Sequence, residues 1–360
     1  MRLPTALCGD ECSRDWIILF VSTILLGACG SGSTDPGPPP PPPPPPPSTG
    51  VITAKLNPLP GDNQSFGMAV NRAGYAAGSS ANTTGGSQAF YWDGVLRKLN
   101  SPAARATATG ISSGSTLYVV GYHDVPTARQ AVRWAPGTSA DAVVLETIES
   151  SAFGVNDDGT AVGSVRISAQ ASRGAIWPVG GSRIEIPALS GHNFTTAHAI
   201  NSQGVVVGTS FGTDIEVTDK AWVRLADGRL LELVPLLDDL AARAYAISDV
   251  ASGKFIVVGS GTTIAGTRRG VRWSVDAATG AATADALTGL RDAMGVTGSG
   301  AVAGSTTTQS ILWRDGSSLG VSGSGIIASA RGIAVGANNA IFVVGTDITT
   351  VAAAVIWTIK

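Results

Sequence analysis

The chain has 360 residues, a formal net charge of −2 and no basic run, which excludes a general nucleic-acid binder. Charged residues make up only 14% of it and glycine is abundant at 46 residues, against roughly 25% charge and 7% glycine in an average domain. This balance fits short buried strands joined by tight turns and argues against helices.

Residues 17–26 are a short apolar run. It is too short to span a bilayer and fits the apolar region of a signal peptide. Gly27 and Ala28 supply the small residues that cleavage needs, and Cys29 follows them. The arrangement resembles the bacterial lipobox, which implies removal of residues 1–28 and a diacylglycerol on the Cys29 thiol. The alternative is an ordinary secretory signal in which Cys29 is incidental. Gly30, rather than Asp, follows the cysteine, as in lipoproteins sent to the outer membrane. The expected address is therefore the bacterial outer membrane, on its periplasmic or cell-surface side, with the membrane itself a partner through the lipid anchor. Cys8 and Cys12 would leave with the signal. Cys29 would then be the only cysteine of the mature chain, so neither an internal disulfide nor a cysteine metal cluster is expected.

Residues 29–50 read as a linker. Pro38 to Pro47 are ten consecutive prolines. Each fixes φ and lacks an N–H, so the run adopts polyproline II. At ~3.1 Å per residue it spans roughly 30 Å as a semi-rigid spacer. A ligand for aromatic-lined grooves is the other use of such a run.

From residue 51 onward a phrase recurs seven times, starting at Gly67, Ala108, Ala152, Ala197, Ala244, Ala293 and Ala330. It reads small-x-small-Ile/Val-polar, followed by a turn and a glycine at 78, 121, 163, 208, 259, 304 or 345. A tryptophan ends a third segment at 92, 134, 177, 222, 273, 313 and 357, and a Leu- or Ile-bearing fourth segment follows all but the last. A repeat of this period built from short β segments reads as a propeller or array. The intervals from the first small residue to the glycine are 11, 13, 11, 11, 15, 11 and 15, all odd. A hairpin that grows by one cross-strand pair gains two residues and keeps its register, so the first two strands are expected to form an antiparallel hairpin. Asn71–Gly74, Asn156–Gly159 and Asn201–Gly204 are plausible turns, as are Asp93-Gly94, Asp227-Gly228 and Asp315-Gly316 between strands three and four.

Four antiparallel strands in seven units, without helices, predict an all-β fold: a seven-bladed β-propeller over 51–360. The small residues fit the crowded positions nearest the axis, and the tryptophans fit packing between neighbouring blades. The seventh unit ends at its third strand. Residues 51–59 look like a spare fourth strand and match residues 96–102 closely. They are expected to pair with the last unit and close the ring, which removes open sheet edges.

The phrase resembles the extracellular HAF repeat family of bacteria. Ala197–Asn201, Val206-Val207-Gly208 and Ala221-Trp222 carry the resemblance, which covers about residues 65–360. Ser112, Thr297 and Ala334 depart from it by replacing the Asn. The resemblance implies an exported β-propeller-like protein and brings no catalytic residues with it.

Candidate chemistry is sparse. Phosphate loops would need a helix, and Asn156–Gly159 lacks the spaced acids of a calcium loop. His198 alternates with core positions and reads as structural. No metal, cofactor or catalytic residue is expected. Binding is expected on the face carrying the loops between strands two and three and between strand four and the next unit. His123, Asp124, Arg129, Arg173, His192, Asp214 and Arg269 are the candidates there. These features favour a monomeric, non-catalytic binding or adhesion module whose ligand is a glycan or an envelope protein. An envelope scaffold that docks membrane proteins is the alternative. A polysaccharide hydrolase or lyase using carboxylates such as Asp214, Glu216 or Asp239 is the third reading.

Overall fold

The computed structural model describes residues 51–137, 139–212, 218–314, 316–320, 328–348 and 351–359. Cys29, the polyproline run, Asp214, Glu216 and Asp315 lie outside the described residues. Those described are all-β apart from one 3-10 turn, Ala337–Asn339. Each repeat forms a four-stranded antiparallel sheet whose strands follow chain order, except that the last takes its outer strand from Val51–Leu56. Two of these groups are joined into one eight-stranded sheet by a single parallel pairing, Ser87 with Arg105.

The first hairpin of every repeat holds one register. The first small residue always faces the glycine: Gly67 with Gly78, Ala108 with Gly121, Ala152 with Gly163, Ala197 with Gly208, Ala244 with Gly259, Ala293 with Gly304, and Ala330 with Gly345. The longer intervals of repeats two, five and seven leave this pairing intact, as their odd parity requires. The register then shifts by one residue after the small residue in all seven. The middle residue of small-x-small is therefore a β-bulge, an extra residue that bends and twists its strand. Strict alternation had hidden it.

The bulge explains the glycine. A Cβ at Gly163 would overlap the Ser151 carbonyl oxygen, and one at Gly208 would overlap that of Thr196. The other five repeats present the same clash, with the carbonyl just before the first small residue. The third phrase position is small for a second reason. A Cβ at Gly154 would meet His198 O and Ala199 Cα at 3.0 Å, and one at Gly110 would meet Phe153 O at 2.9 Å. First strands of successive repeats thus touch backbone to backbone.

The turns form as expected from their residues. Asn201 Oδ1 accepts from the N–H groups of Gln203 at 3.1 Å and Val205 at 2.9 Å, while Gly204 takes φ +78°. Asp227 Oδ1 accepts from Arg229 N at 3.0 Å beside Gly228 at φ +94°. Side chains thereby replace the missing ladder bonds at these two reversals.

The core is divided among the gaps between sheets. Trp134 is buried against Ala77, Ala89 and Leu99 of the preceding repeat, and Trp222 against Val162, Ile176 and Ile186 of its own predecessor. Trp273 and Trp357 occupy the same place in later gaps. The first repeat differs. Its gap is filled by Leu56, Leu59, Val70 and Phe90 against Val344, Ala354 and Ile356 of the last repeat. Val51–Leu56 lies antiparallel to Ala353–Ile359 as the outer strand of the last sheet. Burying one such aliphatic or aromatic side chain is worth about 1.5–3 kcal/mol, so each gap is a separate source of stability.

Candidate functional site

The strands of each sheet end in two kinds of connection. At the turn end lie the reversals between strands one and two and between three and four. At the loop end lie the connections between two and three and from each fourth strand to the next repeat. A cavity of about 310 Å³ opens at the turn end. All seven repeats line it, each through the same stretch of the phrase.

Its wall has two tiers. The lower is a collar of seven branched aliphatic side chains, Val70, Ile111, Val155, Ile200, Ile247, Val296 and Ile333. The upper tier is polar. Asn71 caps its own turn through Oδ1 and donates from Nδ2 to Ser112 O in the next repeat, at 2.8 Å. Asn201 does the same toward Ser248 O at 3.0 Å. Where the phrase carries a hydroxyl instead, only half of this survives. Ser112 Oγ accepts from Tyr118 N, Ser248 Oγ from Ile256 N and Thr297 Oγ1 from Ala301 N, each within its own turn. The hydroxyl residues that stand in for Asn thus keep the turn and give up the amide that reaches onward.

The next residue of each repeat rims the mouth. Ser113 N donates to Asp157 Oδ1 at 2.7 Å, and Ser202 gives both its N–H and its hydroxyl to Asp249 Oδ1, at 2.9 and 2.6 Å. Arg72 reaches across. Its guanidinium is bonded to Asp157 and stands 3.8 Å from Asp249. The arrangement offers paired carboxylates, a guanidinium and hydroxyls above an apolar floor. That set suits a small polar ligand with a C–H face.

Below the collar, bulge residues of adjacent repeats meet. His198 lies between Phe153 and Tyr245, with ring centroids 5.8 and 5.6 Å away. Some water reaches this ring, yet protein surrounds it. Desolvation, reinforced by the positive charge of Arg243, pulls its pKa down to about 4.

Apart from Asp214, which lies outside the described residues, the sequence-derived candidates sit at the loop end. Asp124 and Arg129 come together, with Arg129 Nε 2.8 Å from Asp124 Oδ1 and its guanidinium 4.0 Å above the Tyr122 ring. Arg173 donates to the Ser172 carbonyl and stands apart from that pair on strand Ala171–Trp177. His192 contacts two main-chain oxygens, Ser190 O at 3.1 Å and Thr218 O at 3.0 Å. Arg269 clamps the fully buried carboxylate of Asp239 at 3.0 Å. His123 is 1% exposed and hydrogen-bonds Ser101 and Gln130. Sequence reasoning placed binding at this end and missed the turn-end cavity. The signal was present in the phrase itself, whose last residues in every repeat converge there. Among the described residues, no group of three or more His, Cys, Asp and Glu side chains converges on a point, and no helix is long and apolar enough to cross a membrane.

No protein-family model matches the chain, and no curated protein matches it. Solved structures do. A puromycin hydrolase aligns with a TM-score of 0.53 at 16% identity, over 85% of this chain and 55% of its own. The acylaminoacyl peptidase of Pyrococcus horikoshii aligns with 0.51 at 12%, over 84% and 52%. A Trypanosoma rangeli sialidase aligns with 0.42 at 11%, over 87% and 59%. The chain thus spans only about half the length of the hydrolase and the peptidase. Likeness at such identity concerns the fold alone, an all-β chain of four-stranded antiparallel sheets resembling propeller-type proteins.

Proposed function

We propose that the chain is a seven-bladed β-propeller of the HAF-repeat type, exported, lipid-anchored through Cys29 to the bacterial outer membrane, and acting as a binding module. Val51–Leu56 closes the ring as the fourth strand of the last blade. Two features support closure: its pairing with Ala353–Ile359, and the apolar gap that the first and last repeats fill together. The observation that carries the binding role is the turn-end cavity, to which all seven repeats contribute. Its ligand is a small polar group such as the end of an envelope glycan, held by the Arg72, Asp157 and Asp249 array above the aliphatic collar. Full-length protein displayed on vesicles and probed with envelope glycans should bind. The Asp157→Ala/Asp249→Ala variant should lose that binding. Absence of any bound glycan, or binding indifferent to the double variant, refutes the reading. In the same preparations Cys29→Ala should leave the membrane fraction.

A scaffold that docks an envelope protein is the second reading. Leu237 and Ile264, 87% and 70% exposed, favour it, since they stand on loop-end segments joined by the bond from Ile264 N to Asp238 O.

A further inference from the structure

We propose that Ser101 is a nucleophile activated by His123, in a loop-end site separate from the turn-end cavity and independent of what that cavity binds. His123 and Gln130 are directly opposed in the hairpin Val119–Val125 and Ala128–Ala135. Ser101 stands on the connection from the first repeat to the second, and its Oγ lies 3.0 Å from His123 Nδ1. The other ring nitrogen, Nε2, lies 3.1 Å from Gln130 Oε1.

The hydrogen-bond inventory fixes where the protons are. Gln130 Nε2 donates to Thr147 O at 2.9 Å, which turns Oε1 toward the imidazole. An amide oxygen only accepts, so Nε2 of His123 carries the hydrogen. Nδ1 of the neutral ring is then the acceptor. Ala103 N donates to Ser101 Oγ at 3.2 Å, which leaves the single hydroxyl proton of Ser101 free to point at Nδ1. Nucleophile, base and orienting group form one directed chain. His192 provides the contrast. Its two nitrogens face main-chain carbonyls, so it has no nucleophile to serve.

Placement matters as much as the chain. His123 is shielded from water, while Ser101 lines a separate cavity of about 270 Å³ together with Lys98 and Asn82. The cavity size and Lys98 fit a short carboxylic ester, uncharged or anionic. In the reaction Ser101 Oγ bonds to the ester carbonyl carbon and its proton passes to His123 Nδ1. The bond from that carbon to the leaving oxygen breaks, and the leaving oxygen takes the proton back. Water then adds to the acyl carbon by the same proton route, releasing the carboxylic acid and restoring Ser101. Gln130 offers the imidazolium a dipole rather than a carboxylate, so turnover should be slow and the acyl form should accumulate.

The test uses the full-length protein with a fluorophosphonate probe, which loses fluoride when a serine Oγ bonds to phosphorus, and with p-nitrophenyl acetate. The adduct should map to Ser101 by mass spectrometry. His123→Gln, verified as folded by its melting transition, should slow labelling by about 10²–10⁴-fold, the usual contribution of a positioned base. The nitrophenolate burst should vanish in Ser101→Ala, verified as folded in the same way. No adduct on Ser101, labelling unchanged in folded His123→Gln, or a burst that survives in Ser101→Ala overturns the assignment.

Discussion

At the turn end, seven repeats deliver equivalent positions of one phrase to a single cavity; at the loop end, each repeat delivers something of its own. The collar from Val70 round to Ile333 varies only between Val and Ile. The loop end holds a Ser101–His123–Gln130 chain in one gap, a Tyr122–Arg129–Asp124 stack beside it and an Arg269–Asp239 clamp elsewhere. Repetition therefore builds shape, because a ring of like side chains makes a collar that no single repeat can make. Singular chemistry collects where the phrase is silent. The Arg72 bridge to Asp157 and Asp249 is the exception, since it breaks the symmetry of the rim at the turn end itself.

Both ends depend on the same frame, and the largest expected effect comes from breaking it. Deleting residues 51–59 removes the outer strand of the last sheet together with Leu56 and Leu59 from the apolar cluster shared by the first and last repeats. Loss of two buried leucines costs on the order of 5 kcal/mol before any strand pairing is counted. A thermal melt should show the transition lowered by 10 °C or more, taking the turn-end and loop-end sites down together. An unchanged transition would mean that the two ends do not share a closed frame.

Glycine substitutions separate the ends more finely. Gly208 faces the bulge, where a Cβ would overlap Thr196 O and the Trp222 ring, so Gly208→Ala should cost about 3 kcal/mol or more. Gly266 sits in a loop-end turn at φ +78° with nothing near its missing Cβ. Gly266→Ala should cost only about 1 kcal/mol, the backbone penalty alone. Denaturant unfolding of the two variants measures the difference; equal costs would deny the bulge its steric role.

The bulge row can also be read by pH. The folded-state pKa of His198, about 4, lies below its ordinary value of 6.5. Between these values the unfolded chain holds the proton more firmly. The neutral ring therefore contributes stability that is complete above pH 6.5 and lost as pH falls toward 4, on the order of 3 kcal/mol in all. His198→Phe should flatten the fall of the melting temperature between pH 7 and 4.5. An equally steep fall in the variant would place the acid sensitivity elsewhere.

Much of the frame was legible because it repeats. The glycines, the tryptophans and the odd intervals each recur seven times, and a hairpin register that survives insertions leaves its parity in the sequence. The bulge was not legible: a residue without a partner looks like any other x between two small ones. His123 was singled out, but Ser101 and Gln130 were not, because their meeting depends on a turn between repeats and a cross-strand pair rather than on any motif. Asp124 and Arg129 read as ligand-seeking charges in the sequence, whereas in the structure they satisfy one another.

The smallest effect concerns the upper tier of the turn-end cavity and asks why the phrase prefers Asn. Asn201 performs two tasks, accepting from Gln203 N and Val205 N within its turn and donating to Ser248 O across the gap. Ser248 in the next repeat performs only the first, through its hydroxyl. Asn201→Ser should therefore hold its turn, lose the crossing bond and cost about 1 kcal/mol, the net worth of one hydrogen bond. Asn201→Ala loses all three bonds and should cost about 3 kcal/mol. If serine proves as costly as alanine, the crossing amide is the whole reason for the Asn, and the hydroxyl repeats must hold their place by other means.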